Sequence, residues 1–169
     1  FCEVGGLESL KNFNRLFLKD QYSAALIEGN SDRNIDVGFL VRKDLGFYFD
    51  LVTNKHRPIN YLYPFEREAA LQGVLPGVVK APQSQRFSRD AAELHFFLNN
   101  RTQPFLVFVL SHLKSRLDPD GIDPQGFERR QAELLTLLEI YHELETRFQH
   151  KVPIALAGDF NGQASKATP

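Results

Sequence analysis

Val152-Pro153-Ile154-Ala155-Leu156-Ala157 runs straight into Gly158-Asp159-Phe160-Asn161-Gly162. The first six residues are a short apolar run of the kind that forms a buried strand. The next five put acid and amide groups at that strand's carboxyl end, where α/β proteins place their chemistry. Along an extended chain, alternation points Asp159 and Asn161 to one side and Phe160 to the other, so a carboxylate and a carboxamide face one cleft while the ring packs. Oxygen donors of that kind suit a hard cation such as Mg²⁺. Gly, Asp and Asn are also common turn formers, so the same five residues read equally well as a plain exit from a strand.

Two other positions repeat the arrangement. Glu3 lies in Phe1-Cys2-Glu3-Val4-Gly5-Gly6, at the end of a stretch read as another strand. His112 follows the strongest apolar run of the chain, Phe105-Leu106-Val107-Phe108-Val109-Leu110, within Ser111-His112-Leu113-Lys114-Ser115. Three strands are thus expected to deliver polar groups at their carboxyl ends. The remaining histidines, His56, His95, His142 and His150, have no metal-ligand spacing and are read as structural.

Composition sets the bounds. The chain has 169 residues, 43% of them hydrophobic, with 15 Phe, which is enough for one domain with a sizeable core. A net charge of -1 provides no bulk attraction for polyanions, so any phosphate or nucleic-acid contact must come from local Lys/Arg groups. One Cys excludes an internal disulfide framework, and Cys2 is expected to be an inert buried thiol. No run approaches the roughly 18 apolar residues of a membrane span. No signal peptide is visible, but the chain opens at Phe1 and contains no Met, so localisation is left unassigned.

The coarse organisation is one α/β system. Leu7, Leu10, Phe13 and Phe17 recur at helical spacing. Tyr22 to Ile27, Asp36 to Val41 and Leu45 to Val52 read as strands that form successive antiparallel neighbours, with turns at Gly29-Asn30-Ser31-Asp32 and Lys43-Asp44. From about residue 53 to 86, Pro58, Pro64, Pro76 and Pro82 predict a long excursion with at most a short helix near Pro64 to Gln72; it reads either as a substrate-flanking loop or as surface decoration. Lys55-His56-Arg57 within it reads as a small solvated basic patch. Ala91 to Leu98 and Phe105 to Ser111 form a hairpin through Asn99-Asn100-Arg101-Thr102. Asp123 caps, and Pro124 opens, a crossover helix with an apolar stripe of Leu134, Leu137, Leu138, Tyr141, Leu144 and Phe148, and Arg129 and Arg130 near its start are structural or rim residues.

Taken in order, Glu-Val-Gly-Gly, Phe87-Ser88-Arg89-Asp90, Ser-His-Leu-Lys-Ser and Gly-Asp-Phe-Asn resemble the endonuclease/exonuclease/phosphatase superfamily, the deoxyribonuclease I-like phosphohydrolases. Residues 34 to 43, Asn-Ile-Asp-Val-Gly-Phe-Leu-Val-Arg-Lys, are similar to that family's central hairpin. Gly-Asp-Phe-Asn alone is moderately specific, whereas four motifs in the family's order are strongly so. The resemblance covers nearly the whole chain outside the 53 to 86 insert.

The resemblance implies an α/β four-layer sandwich of two packed mixed sheets flanked by helices. It also implies a Mg²⁺- or Mn²⁺-dependent hydrolysis of a phosphoester. By the same resemblance Glu3 and Asp159 are metal ligands, and His112 hydrogen-bonds the scissile phosphate or protonates the leaving oxygen. Asp159 holds the attacking water or the metal, and Asn161 contacts the phosphoryl oxygens. Arg89 approaches the phosphate with its two-pronged guanidinium, or else makes a surface salt bridge. Lys114 and Ser115 are weaker candidates for phosphate contact.

Arg89 and His112 together look like the nuclease branch, which makes nucleic-acid phosphodiesters the preferred substrate class. A phosphomonoesterase, a phospholipid head-group hydrolase and a non-catalytic module are the alternatives. Members of the superfamily also have an upstream strand bearing an Asn, and downstream strands bearing an Asp and then an Asp-His pair that activates the water. None of these falls within residues 1 to 169, so the chain is expected to be a single, partial domain, truncated at both ends and weak or inactive as a hydrolase by itself.

Overall fold

The computed structural model describes residues 1–72, 85–98, 101–119 and 121–162. Within them the chain is mixed α/β, with three α-helices and two sheets. Helix α1 spans Gly6–Phe17, strand β1 Tyr22–Ala25, β2 Phe39–Arg42, β3 Tyr48–Val52, helix α2 Pro64–Leu71, β4 Ala91–Phe97, β5 Leu106–His112, helix α3 Phe127–Arg147 and β6 Ile154–Asp159. Strands β1 and β2 form an antiparallel pair. The larger sheet has the order β3-β4-β5-β6, with only β5 and β6 parallel, as the crossover through α3 requires. Among the described residues no helix is long and apolar enough to cross a membrane.

The apolar runs mark the strands well, but the expected neighbours differ in one place. Strand β3 does not pair with β2. A 3-10 turn over Lys43–Leu45, closed by Gly46 at φ 70°, carries the chain out of the small sheet, and β3 then pairs along its whole length with β4 from Tyr48↔Phe97 to Val52↔Glu93. The Lys43-Asp44 turn is therefore real but is not a hairpin turn. Phe1 to Val4 is not a strand either: Phe1 exchanges bonds with Gly38 and Val4 with Asp36, an isolated bridge along the small sheet's margin.

Burial also departs from the predicted stripes. On α1, Leu10 and Asn14 are the buried residues, while Phe13 and Phe17 are exposed and stack on each other. Asn14 is buried because its carboxamide donates to Asp20 and to the Tyr22 carbonyl and accepts the Tyr22 N–H, which closes the α1–β1 turn. On α3 the inward face is Ala132, Glu133, Thr136, Leu137, Ile140 and Leu144, rotated from the predicted stripe so that Leu134 and Leu138 are exposed. The helix start is as expected in substance: Asp123 accepts the N–H groups of Glu128 and Arg129 at 3.0 and 3.1 Å across a 3-10 turn, Pro124–Gly126.

One face of the large sheet packs on α3 through Ala91, Val107 and Val109 against Leu137, Ile140 and Leu144. Its other face meets the small sheet through Ala92, Leu94 and Leu110 against Ala25, Val37 and Val41. The insert is anchored in the first of these cores, because Ile59 and Tyr61 are buried there and Pro58 bridges to Arg86. The predicted short helix is α2, and residues 73–84, with Pro76 and Pro82, lie outside the described residues, as do Asn99 and Asn100 of the hairpin turn. Arg57 of the basic triplet is only partly exposed and forks onto Glu143 of α3 at 2.7 and 2.6 Å, tying the insert to that helix at the surface.

Candidate functional site

The parallel register pairs His112 with Asp159, the last residues of β5 and β6. Two side chains 47 positions apart thus emerge together at the carboxyl end of the sheet. Gly158 makes the pairing possible. A Cβ built there would lie 1.7 Å from the Ser111 carbonyl oxygen, and the backbone has φ 144°, a region that side chains disfavour. Gly158→Ala is therefore expected to push β6 off β5 at this point, costing about 1–3 kcal/mol as overpacking does. An unchanged midpoint in urea would show that the strands do not approach this closely.

His112 is 2% exposed, and its Nδ1 has no hydrogen-bond partner among the described residues. Its Nε2 lies 3.9 Å from Asp159 Oδ2, beyond a direct hydrogen bond. Burial, reinforced by the Arg89 charge, holds the imidazole below its usual pKa despite the opposing pull of Asp159 and Glu3. The ring is consequently neutral near pH 7, with one N–H to donate, and it does not cancel the Asp159 charge. That carboxylate is half exposed.

Beyond the strand the chain turns sharply. Asp159 Oδ1 accepts the Asn161 N–H at 2.8 Å, with Asn161 in a left-handed conformation at φ 48°. Simple strand alternation therefore does not apply past Asp159, and Phe160 is exposed instead of packed. Asn161 nonetheless comes back to the site, since its Nδ2 donates to the Leu113 carbonyl at 3.0 Å. The same carbonyl accepts Arg89 Nη1 at 3.1 Å. Leu113 O thus links Asn161 and Arg89, and His112 is the next residue back.

Arg89 is 4% exposed and, among the described residues, is bonded only to the neutral acceptors Leu113 O and Ser88 Oγ, with its Nε unpartnered. Burial lowers its pKa, yet a guanidinium starts so high that it stays charged. Its predicted alternative, a surface salt bridge, does not occur among the described residues, and the side chain is buried. Glu3 is exposed and also left-handed, at φ 59°; it follows Cys2, whose half-buried thiol sits 4.0 Å from the Ser111 carbonyl, and its charge is felt by both His112 and Arg89. The β5–β6 register and the shared Leu113 carbonyl bring Arg89, His112, Asp159 and Asn161 together, and Glu3 is linked to them through the effect of its charge on His112 and Arg89. Among the described residues no group of three or more His, Cys, Asp or Glu side chains is arranged so that it could hold a metal ion.

Three structural residues were not legible in advance. Glu133 of α3, fully buried, accepts the Ser88 N–H at 2.7 Å and the Lys114 N–H at 2.6 Å, clamping the two loops that carry Arg89 and His112. Burial pushes its carboxyl upward in pKa, against Arg129 and these two N–H groups. Asp36 accepts the Gly29 N–H at 2.8 Å, and Asn30 bonds the carbonyls of Lys55 and Phe87 while its own N–H reaches Arg89 O. These contacts pin residues 29–33 beside Arg89.

Between that loop and the β5–α3 connection lies a pocket of about 590 Å³ into which Arg33, Arg86, Arg89, Lys114 and Arg129 converge, with Ser115 on its wall. The Lys114 ammonium is partly buried, which lowers its pKa, and it bonds the carbonyls of Ser115 and Leu117. No known protein family's model matches this sequence, and no curated protein matches it.

Proposed function

We propose that this protein is a Mg²⁺-dependent phosphoester hydrolase of the endonuclease/exonuclease/phosphatase type, acting on nucleic-acid phosphodiesters. On this reading the two sheets and their helices belong to that superfamily's four-layer sandwich. The observation that carries the proposal is the register pairing of a buried His112 with a half-exposed Asp159 at adjacent strand ends, with Arg89 and Asn161 joined through the carbonyl of the residue after His112. A neutral N–H donor, a carboxylate, a carboxamide and a guanidinium are together the groups a phosphoryl transfer needs around its oxygens.

Each side chain then has a definite task. The His112 N–H donates to the phosphoryl or leaving oxygen as its charge grows. Asp159 accepts from, and so aligns, the attacking water. Asn161 bonds a phosphoryl oxygen, and Arg89 supplies fixed positive charge whose desolvation is already complete. The carboxylates of Glu3 and Asp159 are the groups that would hold a divalent cation; two exposed carboxylates fit Mg²⁺, which takes one or two and fills its remaining positions with water and substrate phosphate. When bound, the cation would neutralise charge on the phosphoryl oxygens.

The test is hydrolysis of plasmid DNA and of a phosphodiester reporter by the full-length protein. Turnover should require Mg²⁺ or Mn²⁺, cease on chelation and return on adding the metal back. Turnover of a phosphomonoester in preference to both substrates would move the protein to the superfamily's phosphatase branch, and no turnover of any phosphoester would remove the proposal.

A further inference from the structure

The pocket next to the candidate centre has a charge imbalance that the chemistry at His112 and Asp159 does not use. Five cationic side chains face it, and Asp32 is the one acidic residue among the described lining. Arg33 and Arg86 make no side-chain hydrogen bond or ion pair among the described residues. Among the described residues Arg89 and Lys114 bond only neutral oxygens. Of the five, Arg129 has an ion-pair partner among the described residues, Glu133 at 3.6 Å, while Arg89 and Lys114 feel carboxylates only at longer range. Holding so many like charges together opposes folding unless an anion answers them.

The walls say which anion. The described lining has no aromatic or aliphatic side chain, so there is no platform on which a base could stack and no floor for an acyl chain. Guanidinium forks and an ammonium are phosphate-reading groups. The pocket is also held open in advance: residues 29–33 are pinned by Asp36 and Asn30, and the opposite wall by Glu133. It adjoins the centre through Arg89, which lines the pocket while sharing Leu113 O with Asn161.

Resting on the reading above that the centre cleaves a phosphoester, we propose that this pocket binds a second phosphate of the same substrate, one that flanks the phosphate under attack. A simple phosphomonoester has no group to place there. A nucleic-acid strand supplies flanking phosphates at every step, and a multiply phosphorylated head group supplies one on a neighbouring carbon; both present the same chemistry.

The experiment is calorimetric titration at low salt, with EDTA present so that no hydrolysis occurs, using dithymidylate with and without a 5′-phosphate and inositol 1,4-bisphosphate beside inositol 1-phosphate. The extra phosphate should tighten binding by about tenfold or more, as a charge-assisted contact does. Arg33→Ala and Arg86→Ala should each erase most of that gain, while His112→Ala keeps it. A gain confined to the dinucleotide pair identifies the nucleic-acid backbone as the source, and a gain confined to the inositol pair identifies the head group. Equal binding within both pairs, or a gain that survives both arginine substitutions, overturns the proposal. Because binding is read without turnover, a protein lacking hydrolase activity can still show the phosphate gain, and an active one can lack it.

Discussion

Replacing His112 by alanine is expected to lower the turnover number for a phosphodiester by about 10²-fold or more, the usual worth of a positioned acid or base. Asp159→Ala should lower it at least as far, with a much smaller change in KM. The reason lies in where each side chain's interaction is made. His112 meets a neutral or partly charged oxygen in the ground state and a strongly charged one in the transition state, so its N–H matters chiefly to the rate. Asp159 is half exposed and, among the described residues, its nearest ionisable partner is His112 at 3.9 Å, beyond a direct hydrogen bond. A control on α3, His142→Ala, removes an exposed ring bonded only to Glu145 and should leave turnover unchanged. Folded, pure Asp159 and His112 variants with full activity would leave the fold without the mechanism.

Much of this arrangement was legible in the sequence, for a physical reason. Strand β5 and strand β6 are continuous apolar runs because both faces of the sheet are covered, and each run stops where the chain leaves the core, so His112 and Asp159 mark strand ends without any knowledge of pairing. What could not be read is anything decided by which surfaces meet. Strands β2 and β3 are adjacent in sequence and look like a hairpin, yet β3 finds its partner in β4 some 40 residues on. Phe13 and Phe17 satisfy helical spacing, but α1 buries only one turn's worth of surface through Leu10 and Asn14.

Buried charge was the larger omission. Glu93 and His95 are both about nine-tenths buried or more, and their side chains meet at 2.7 Å, with Asn54 bonding the other Glu93 oxygen at 2.7 Å. Asp90, also buried, accepts from Thr53 and Asn54 at the root of the insert, and burial pushes its pKa up in spite of them. In the sequence Glu93 and His95 are polar residues within a strand and Asp90 closes the Phe-Ser-Arg-Asp motif, with nothing to show that all three are buried. Only the packing of α3 and the insert over that face turns them inward, where each must then find a partner. Arg33 and Arg86 are a related case: isolated cations without periodicity, brought to one pocket by a loop and by the closing bridge of the insert.

Glu133 concentrates that dependence in one side chain, and Glu133→Ala should be the most destabilising single substitution among the residues around the site. The carboxylate's two oxygens take the Ser88 and Lys114 N–H groups, and Arg129 lies 3.6 Å away. Truncation leaves two backbone donors without their acceptor beside a side chain that is itself fully buried. Removing one partner of a buried, hydrogen-bonded charge cluster costs about 3–5 kcal/mol. Glu133→Gln retains the shape and one acceptor but turns an amide N–H₂ toward a second donor, so it should fall between alanine and wild type. Chemical denaturation provides the measurement, and a loss below about 1 kcal/mol for alanine would mean that the two loops hold themselves. The same clamp sets the positions of Arg89 and His112 through the residues next to them. The glutamine variant, still folded at low temperature, should therefore lose phosphoester turnover as well as stability, a coupling that a merely space-filling Glu133 would not produce.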